Sequence, residues 1–197
     1  MTTIYFTASS LDGFLATPDH DLGWLLRQDV DPAGPMGYAA FVENVGALAM
    51  GASTYEWLLG HSDGWEYAQP TCVLTHRSLP TRPGADVRFA AGDVRAVHAQ
   101  LTDAAAGRDV WVVGGGDLAG QFADAGLLDE VWVQFAPVTL GAGRPLLPRG
   151  LDLELVDVMR NRAFLCGRYR VRGALAGSSA PSAAGSLDAG SLDAEHA

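Results

Sequence analysis

Three consecutive glycines, Gly114-Gly115-Gly116, end the apolar run Val110-Trp111-Val112-Val113 and precede a helix expected from Leu118 to Ala125. Without Cβ atoms the backbone can come close to an anion. The free N–H groups of a first helical turn then face it, and the helix dipole adds to the attraction. This pattern points to a nucleotide or another phosphorylated ligand, with Gly114, Gly115, Gly116, Asp117 and Leu118 as its seat. A bare strand-to-helix turn needs only one glycine. The spacing Gly114, Gly116, Gly120 is one residue too long for the dinucleotide fingerprint. No acid stands about 20 residues beyond it to hold a ribose hydroxyl, so a true Rossmann domain is not expected.

Three further strand exits carry suitable residue types. Gly51-Ala52-Ser53-Thr54 repeats the logic of a strand, a glycine and a helix start. Ser53 and Thr54 there either cap the helix or donate to a phosphate. Thr75-His76-Arg77 offers a hydroxyl, an imidazole and a guanidinium. It reads either as a solvated loop or as the reader of the extra 2′-phosphate of NADP, since Arg77 can form a fork with a phosphate. Ser10-Leu11-Asp12-Gly13 is a turn signal in its own right. Asp19, His20, Asp21 and Trp24 follow it. The Trp24 indole either packs a planar ring in a cleft or belongs to the core.

Composition removes several alternatives. All 13 basic residues are arginine, so a Walker lysine, a Schiff-base lysine and an S-x-x-K hydrolase are excluded. G-x-S-x-G is absent, and no pair of carboxylates stands out as an acid and a base. The net charge of −10 argues against nucleic acid and anionic membrane surfaces as partners, though not against one local anion pocket. Cys72 and Cys166 sit singly in apolar runs and are expected as buried free thiols. The five histidines are isolated, so no metal site is expected. No run approaches the ~18 apolar residues of a membrane span. Met1-Thr2-Thr3-Ile4 has no signal-peptide character, and a cytoplasmic protein is expected.

Strands and helices alternate to position these exits. Apolar strands are expected at 4–8, 47–50, 72–75, 87–90, 110–113 and 131–135. Helices are expected over 36–45, from a Ser53/Glu56 capping box through Leu59, and from an Asp93 N-cap through Leu101. Runs 153–159 and 163–171 flank Arg160-Asn161-Arg162 as an antiparallel hairpin. Short unbroken apolar strands separated by helices predict an α/β fold with a mostly parallel, doubly covered sheet. Ligands in such sheets sit at the carboxyl ends of the strands. The folded domain is read as 1–173. Residues 174–197 hold almost no bulky side chains and nearly repeat Gly-Ser-Leu-Asp-Ala, so a disordered low-complexity tail is expected.

The four exits, in this order, resemble the dihydrofolate reductase-like family, which includes the reductase domain of riboflavin biosynthesis. Ser10-Leu11-Asp12-Gly13, Leu48 to Glu56, Val112 to Leu118, and Thr139-Leu140-Gly141-Ala142-Gly143-Arg144-Pro145-Leu146-Leu147 carry the resemblance, over residues 3 to about 171. It implies a three-layer sandwich with a mixed sheet and an NADPH-dependent reductase acting on a C=N or C=O bond of a small heterocycle or carbonyl compound. The riboflavin-type aminouracil reductase is its nearest likeness. Dihydrofolate reduction and a non-catalytic NADP-binding module are the alternatives. The resemblance assigns Gly51, Ala52, Ser53, Thr54, Thr75, His76 and Arg77 to the adenosine side, and Gly114 to Leu118 to pyrophosphate and ribose. It places the nicotinamide and substrate side at Asp12 and Trp24. It also implies a homodimer, with the C-terminal hairpin as the edge for pairing. The acid expected on the first helix of a dihydrofolate reductase has no clear counterpart, Asp29 and Asp31 both preceding Pro32. The acid expected before the paired glycines of a riboflavin-type reductase is replaced by Val113-Gly114.

Overall fold

Strands that are apolar on both faces have to be covered on both, and the chain does this with helices. A computed structural model describes residues 1–176. In chain order the elements are β1 (Thr3–Ser10), β2 (Phe14–Ala16), α1 (Gly23–Leu26), α2 (Tyr38–Glu43), β3 (Val45–Gly51) and α3 (Ala52–His61). There follow β4 (Thr71–Leu74), β5 (Val87–Ala90), α4 (Val94–Ala105), β6 (Asp109–Gly114) and α5 (Gly116–Asp124). The chain closes with β7 (Glu130–Ala136), β8 (Arg144–Pro145), β9 (Leu151–Asn161) and β10 (Phe164–Ala174). The main sheet has the order β5-β4-β3-β6-β1-β7-β10-β9. Every pair from β5 to β7 is parallel, and β7-β10-β9 is antiparallel. β2 and β8 form a separate two-stranded ribbon.

Two cores lie on opposite faces of the sheet. Val97 and Leu101 of α4 and Phe122 of α5 pack on Tyr5, Val112, Val131 and Val133. Phe41 of α2 and Tyr55 of α3 pack on Ile4, Phe6, Leu48, Met50 and Trp111. This is the three-layer sandwich expected from the sequence. The Asp93 cap forms, its side chain accepting from the Arg95 N–H at 2.9 Å. Both cysteines are buried and free.

The hairpin also ties down a distant loop. The Asn161 side chain is buried and accepts from the Asp31 N–H at 3.0 Å. It also donates to the Asp31 and Pro35 carbonyls at 2.8 and 3.2 Å. On the outer strands Leu153, Leu155, Val158 and Leu165 remain between 41% and 55% exposed. β10 ends one residue past the expected boundary at 173. The expected tail lies, apart from 174–176, outside the described residues. Among the described residues no helix is long and apolar enough to cross a membrane.

Candidate functional site

The carboxyl ends of the parallel strands open onto one cleft of about 640 Å³. Its wall contains Gly51, Ala52, Ser53, Thr54, Thr75, His76 and the whole stretch Gly114–Leu118. Eleven of the twelve residues assigned to cofactor binding therefore meet in one place; Arg77 is the exception.

The two glycine turns touch. A Cβ at Gly51 would lie 3.7 Å from the Gly114 carbonyl oxygen and 3.9 Å from the Gly115 nitrogen. Both helices begin earlier than the sequence suggested. α3 starts at Ala52 with Gly51 as N-cap and α5 at Gly116 with Gly115 as N-cap, and neither has a side-chain cap. The Ser53/Glu56 capping box is thus not formed, because Ser53 lies inside the helix rather than before it. Neither the Ser53 nor the Thr54 hydroxyl has a side-chain hydrogen bond among the described residues. Two first-turn N–H arrays face the same space, the arrangement that attracts an anion.

The glycines differ in purpose. Gly114 has φ +149°, a conformation that a side chain disfavours. A Cβ on Gly115 would meet nothing within 4 Å. A Cβ on Gly116 would fall 2.3 Å from both the Pro145 and Leu146 carbonyl oxygens. The third glycine therefore makes a close approach within the protein that by itself calls for glycine there. The segment Arg144–Leu147 crosses there as a strap. It is held by the Leu146 N–H donating to Gly13 O and by the Tyr5 hydroxyl donating to Leu146 O, both at 2.9 Å. Burial pushes the Tyr5 phenol far above its ordinary range, so it remains a donor.

Neither residue assigned to the nicotinamide and substrate side, Asp12 or Trp24, stands on the cleft wall. The Asp12 carboxylate accepts from the Ser10 hydroxyl at 2.6 Å and from the Leu140 and Gly141 N–H groups at 3.0 and 2.7 Å. The Ser10 bond above all, with the two backbone N–H groups, holds its carboxyl below the usual range against slight desolvation. An ionised group so engaged positions the loop leading to the strap and has no proton to give. Trp24 is 5% exposed and packs on Ala136, Phe164 and Cys166. It backs the cleft wall through Ala8 and Leu25 rather than facing the cleft. The indole on the wall is Trp57, stacked on His61 at 4.2 Å. Its position three residues after Thr54 and four after Ser53 was the available signal, since helical neighbours at that spacing share a face.

Charges around the cleft are few. Asp117 is the single carboxylate on the wall among the described residues. Its carboxyl is lowered first by the Gln121 amide at 2.9 Å and then by Arg149 at 3.0 Å, against partial desolvation. Arg144 is on the wall and was given no role from sequence. It donates to the Pro18 carbonyl at 3.1 Å and makes no ion pair among the described residues. Asp29 and Asp31 both pair with Arg162, at 2.9 and 3.7 Å, away from the cleft. Arg77 is closed on Glu56, at 3.0 and 2.8 Å. No cluster of three metal-binding side chains exists among the described residues.

Residues 65–165 match the RibD C-terminal domain family. The chain is 31% identical over 144 residues to the Bacillus subtilis uncharacterized protein YwjB, covering 73% of this chain and 81% of that one. A crystal structure of a putative riboflavin biosynthesis protein from Shewanella sp. PV-4 superposes with a TM-score of 0.75 at 26% identity. The match covers 87% of this chain and 99% of that one. Dihydrofolate reductase from Enterococcus faecalis, solved with NADP(H), gives a TM-score of 0.53 at 14% identity over 87% and 96% of the two chains, a likeness of fold alone.

Proposed function

The chain belongs to the RibD C-terminal domain family, and on that premise we propose that it is an NADPH-dependent reductase of a small heterocyclic or carbonyl compound. The observation that carries this reading is the contact between the two glycine turns, which aims the N-termini of α3 and α5 into one cleft. The cleft lies within the usual range of small-molecule sites, roughly 300–1,000 Å³. Gly51 to Thr54 and Gly114 to Leu118 would hold the pyrophosphate and its flanking ribose. Thr75 and His76 would face the adenosine end. The cofactor supplies a hydride when bound; the protein's part is orientation and exclusion of water. Thr7 and Ala8 of β1, with Leu15, Leu22 and Leu25, wall the other end for a flat or apolar substrate body. Wall carboxylates other than Asp117 are lacking among the described residues, so the proton that accompanies the hydride is assigned to a wall histidine, His20 or His76, or to water.

Dihydrofolate reduction fits less well, because the acids nearest the expected place, Asp29 and Asp31, are spent on Arg162. The riboflavin-type aminouracil is the substrate we test first. In a titration with NADPH and with NADH followed by tryptophan fluorescence, both are expected to quench, NADPH at lower concentration. Trp57→Phe is expected to lose most of the quench while binding persists by calorimetry. Absence of binding by either nucleotide overturns the reading. A bound nucleotide with no turnover of any aminouracil or dihydrofolate would favour the non-catalytic module.

We also propose a homodimer through the C-terminal hairpin. Among the described residues Leu153, Leu155, Val158 and Leu165 leave an apolar sheet face and an open 11-residue edge, which a second copy around a two-fold axis would cover. Sedimentation is expected to give twice the chain mass, falling to a monomer in Leu155→Asp/Val158→Asp. A monomeric wild type refutes it.

A further inference from the structure

A dinucleotide with a 2′-phosphate would meet a closed ion pair at the outer end of the cleft. Arg77 donates from Nη1 and Nη2 to the two carboxylate oxygens of Glu56, at 3.0 and 2.8 Å. A guanidinium presents its parallel donors as a single fork, and that fork is what matches a phosphate. Here the carboxylate holds it. The pair stands next to the wall: Glu56 is one helical turn beyond Ser53 on α3, and Arg77 follows His76. The Arg77 N–H donates to the Thr75 hydroxyl at 3.0 Å, which fixes the turn carrying the guanidinium. Both side chains are solvated, at 56% and 43% exposure. Exposed pairs hold weakly, so a phosphate dianion can take the fork. Glu56 then remains beside that dianion as a like charge.

We propose that Glu56 is the residue that sets the nicotinamide preference of this chain, by competing with the 2′-phosphate for Arg77 and so holding discrimination against NADH low. The inference rests on the dinucleotide reading of the cleft. NADH has no 2′-phosphate, so its binding neither opens the pair nor brings a dianion against Glu56. Asp86 and Arg88 are joined to each other at 3.6 Å and lie toward the amino end of the β4–β5 pair, Arg88 standing in register with Cys72, away from the fork.

The test is a fluorescence titration of the whole protein with NADPH and NADH, using wild type, Glu56→Gln, Arg77→Gln and the double variant. All positions are exposed, and melting curves check that the fold is kept. Wild type is expected to favour NADPH by less than about tenfold. Glu56→Gln is expected to widen that ratio about fivefold through tighter NADPH, the size of a strong exposed pair. Arg77→Gln is expected to bring the ratio near one, and the double variant to behave like it. At high salt the gain in Glu56→Gln is expected to shrink. A ratio in Glu56→Gln within about twofold of wild type overturns the proposal, as does looser NADPH binding, which would make Glu56 a support for Arg77. Failure of every protein to bind either nucleotide overturns the dinucleotide reading itself, and this proposal with it.

Discussion

Gly116→Ala is expected to cost about 2–4 kcal/mol of stability and to abolish dinucleotide binding. The added methyl carbon would lie 2.3 Å from two backbone carbonyl oxygens, those of Pro145 and Leu146, and 2.8 Å from the Leu146 carbonyl carbon. A flexible side chain could swing aside; these atoms belong to a strap pinned at both faces. Moving it strains the Tyr5–Leu146 bond and the Leu146–Gly13 bond. Overpacking alone costs ~1–3 kcal/mol, and a lost buried hydrogen bond adds ~1 kcal/mol. In a chain of this size the melting temperature should fall by roughly 5–15 °C. Binding is lost because Gly116 begins α5 and carries part of the N–H array. Gly60→Ala is the control. Nothing lies within 4 Å of its added carbon inside α3, so that variant should be neutral or gain up to ~1 kcal/mol. Urea melts of both variants, with NADPH titrations, decide the matter. A Gly116→Ala protein as stable as wild type would mean that the strap is free to move.

The second large effect is expected at Arg168. Glu130 begins β7 with its side chain 9% exposed. Burial pushes its carboxyl up, but the Arg168 fork at 2.8 and 2.9 Å and the Trp132 indole at 2.7 Å outweigh this, and the net shift is downward. The guanidinium also lies 4.9 Å from the Trp132 ring centre. Arg168→Ala leaves a buried carboxylate without its cation. Loss of one partner of a fully buried pair costs ~3–5 kcal/mol, and the 38% exposure of Arg168 lowers this to about 2–3 kcal/mol. The pH dependence changes sign. In the wild type the folded value lies below the unfolded one, so this group stabilises the fold above about pH 4–5, and that contribution is lost as pH falls through the folded value. In Arg168→Ala desolvation, the largest single influence, is opposed only by the Trp132 indole and Arg170, and the folded value is expected to rise above the unfolded one. The penalty is then full at neutral pH and shrinks as acid neutralises Glu130. Urea melts at about pH 7 and about pH 5 should show the gap between variant and wild type narrowing at the lower value. Glu130→Gln/Arg168→Met should recover most of the loss.

Much of this molecule was legible in its chain because strands buried on both faces leave unbroken apolar runs. Val110–Val113, Ala47–Met50 and Val131–Phe135 each fall inside an observed strand. The Asp93 cap was readable because capping is a local bond. The ribbon of β2 and β8 was not. At three and two residues its strands are too short for any periodicity, and they exist only because the Arg144–Leu147 segment returns across the cleft. The glycine triplet stands at a strand exit on the cleft wall, as its pattern predicts, but the close approach of Gly116 to Pro145 and Leu146 is not visible in any local pattern. Of the two readings open for Trp24, cleft or core, the structure gives the core, and another tryptophan lines the cleft. Trp24 lies beside polar residues in sequence and is buried in space, whereas Trp57 sits inside an apolar-looking helix and faces the cleft. The engagement of Asp12 was only partly readable, since the Ser10 hydroxyl is two residues away but the Leu140 and Gly141 N–H groups come from 128 and 129 residues further along the chain.

The bond from the Tyr5 hydroxyl to the strap has a kinetic meaning. Tyr5 belongs to β1, between β6 and β7 in the middle of the sheet, and is wholly buried. Local unfolding starts where few buried contacts hold a segment, and the floor of the cleft is no such place. The strap is tied to the central strand through this bond, so amide exchange at Leu146 is expected to be slowed toward that of β1. A nucleotide would therefore dock into a surface ordered before it arrives, with little loss of chain entropy left to incur on binding.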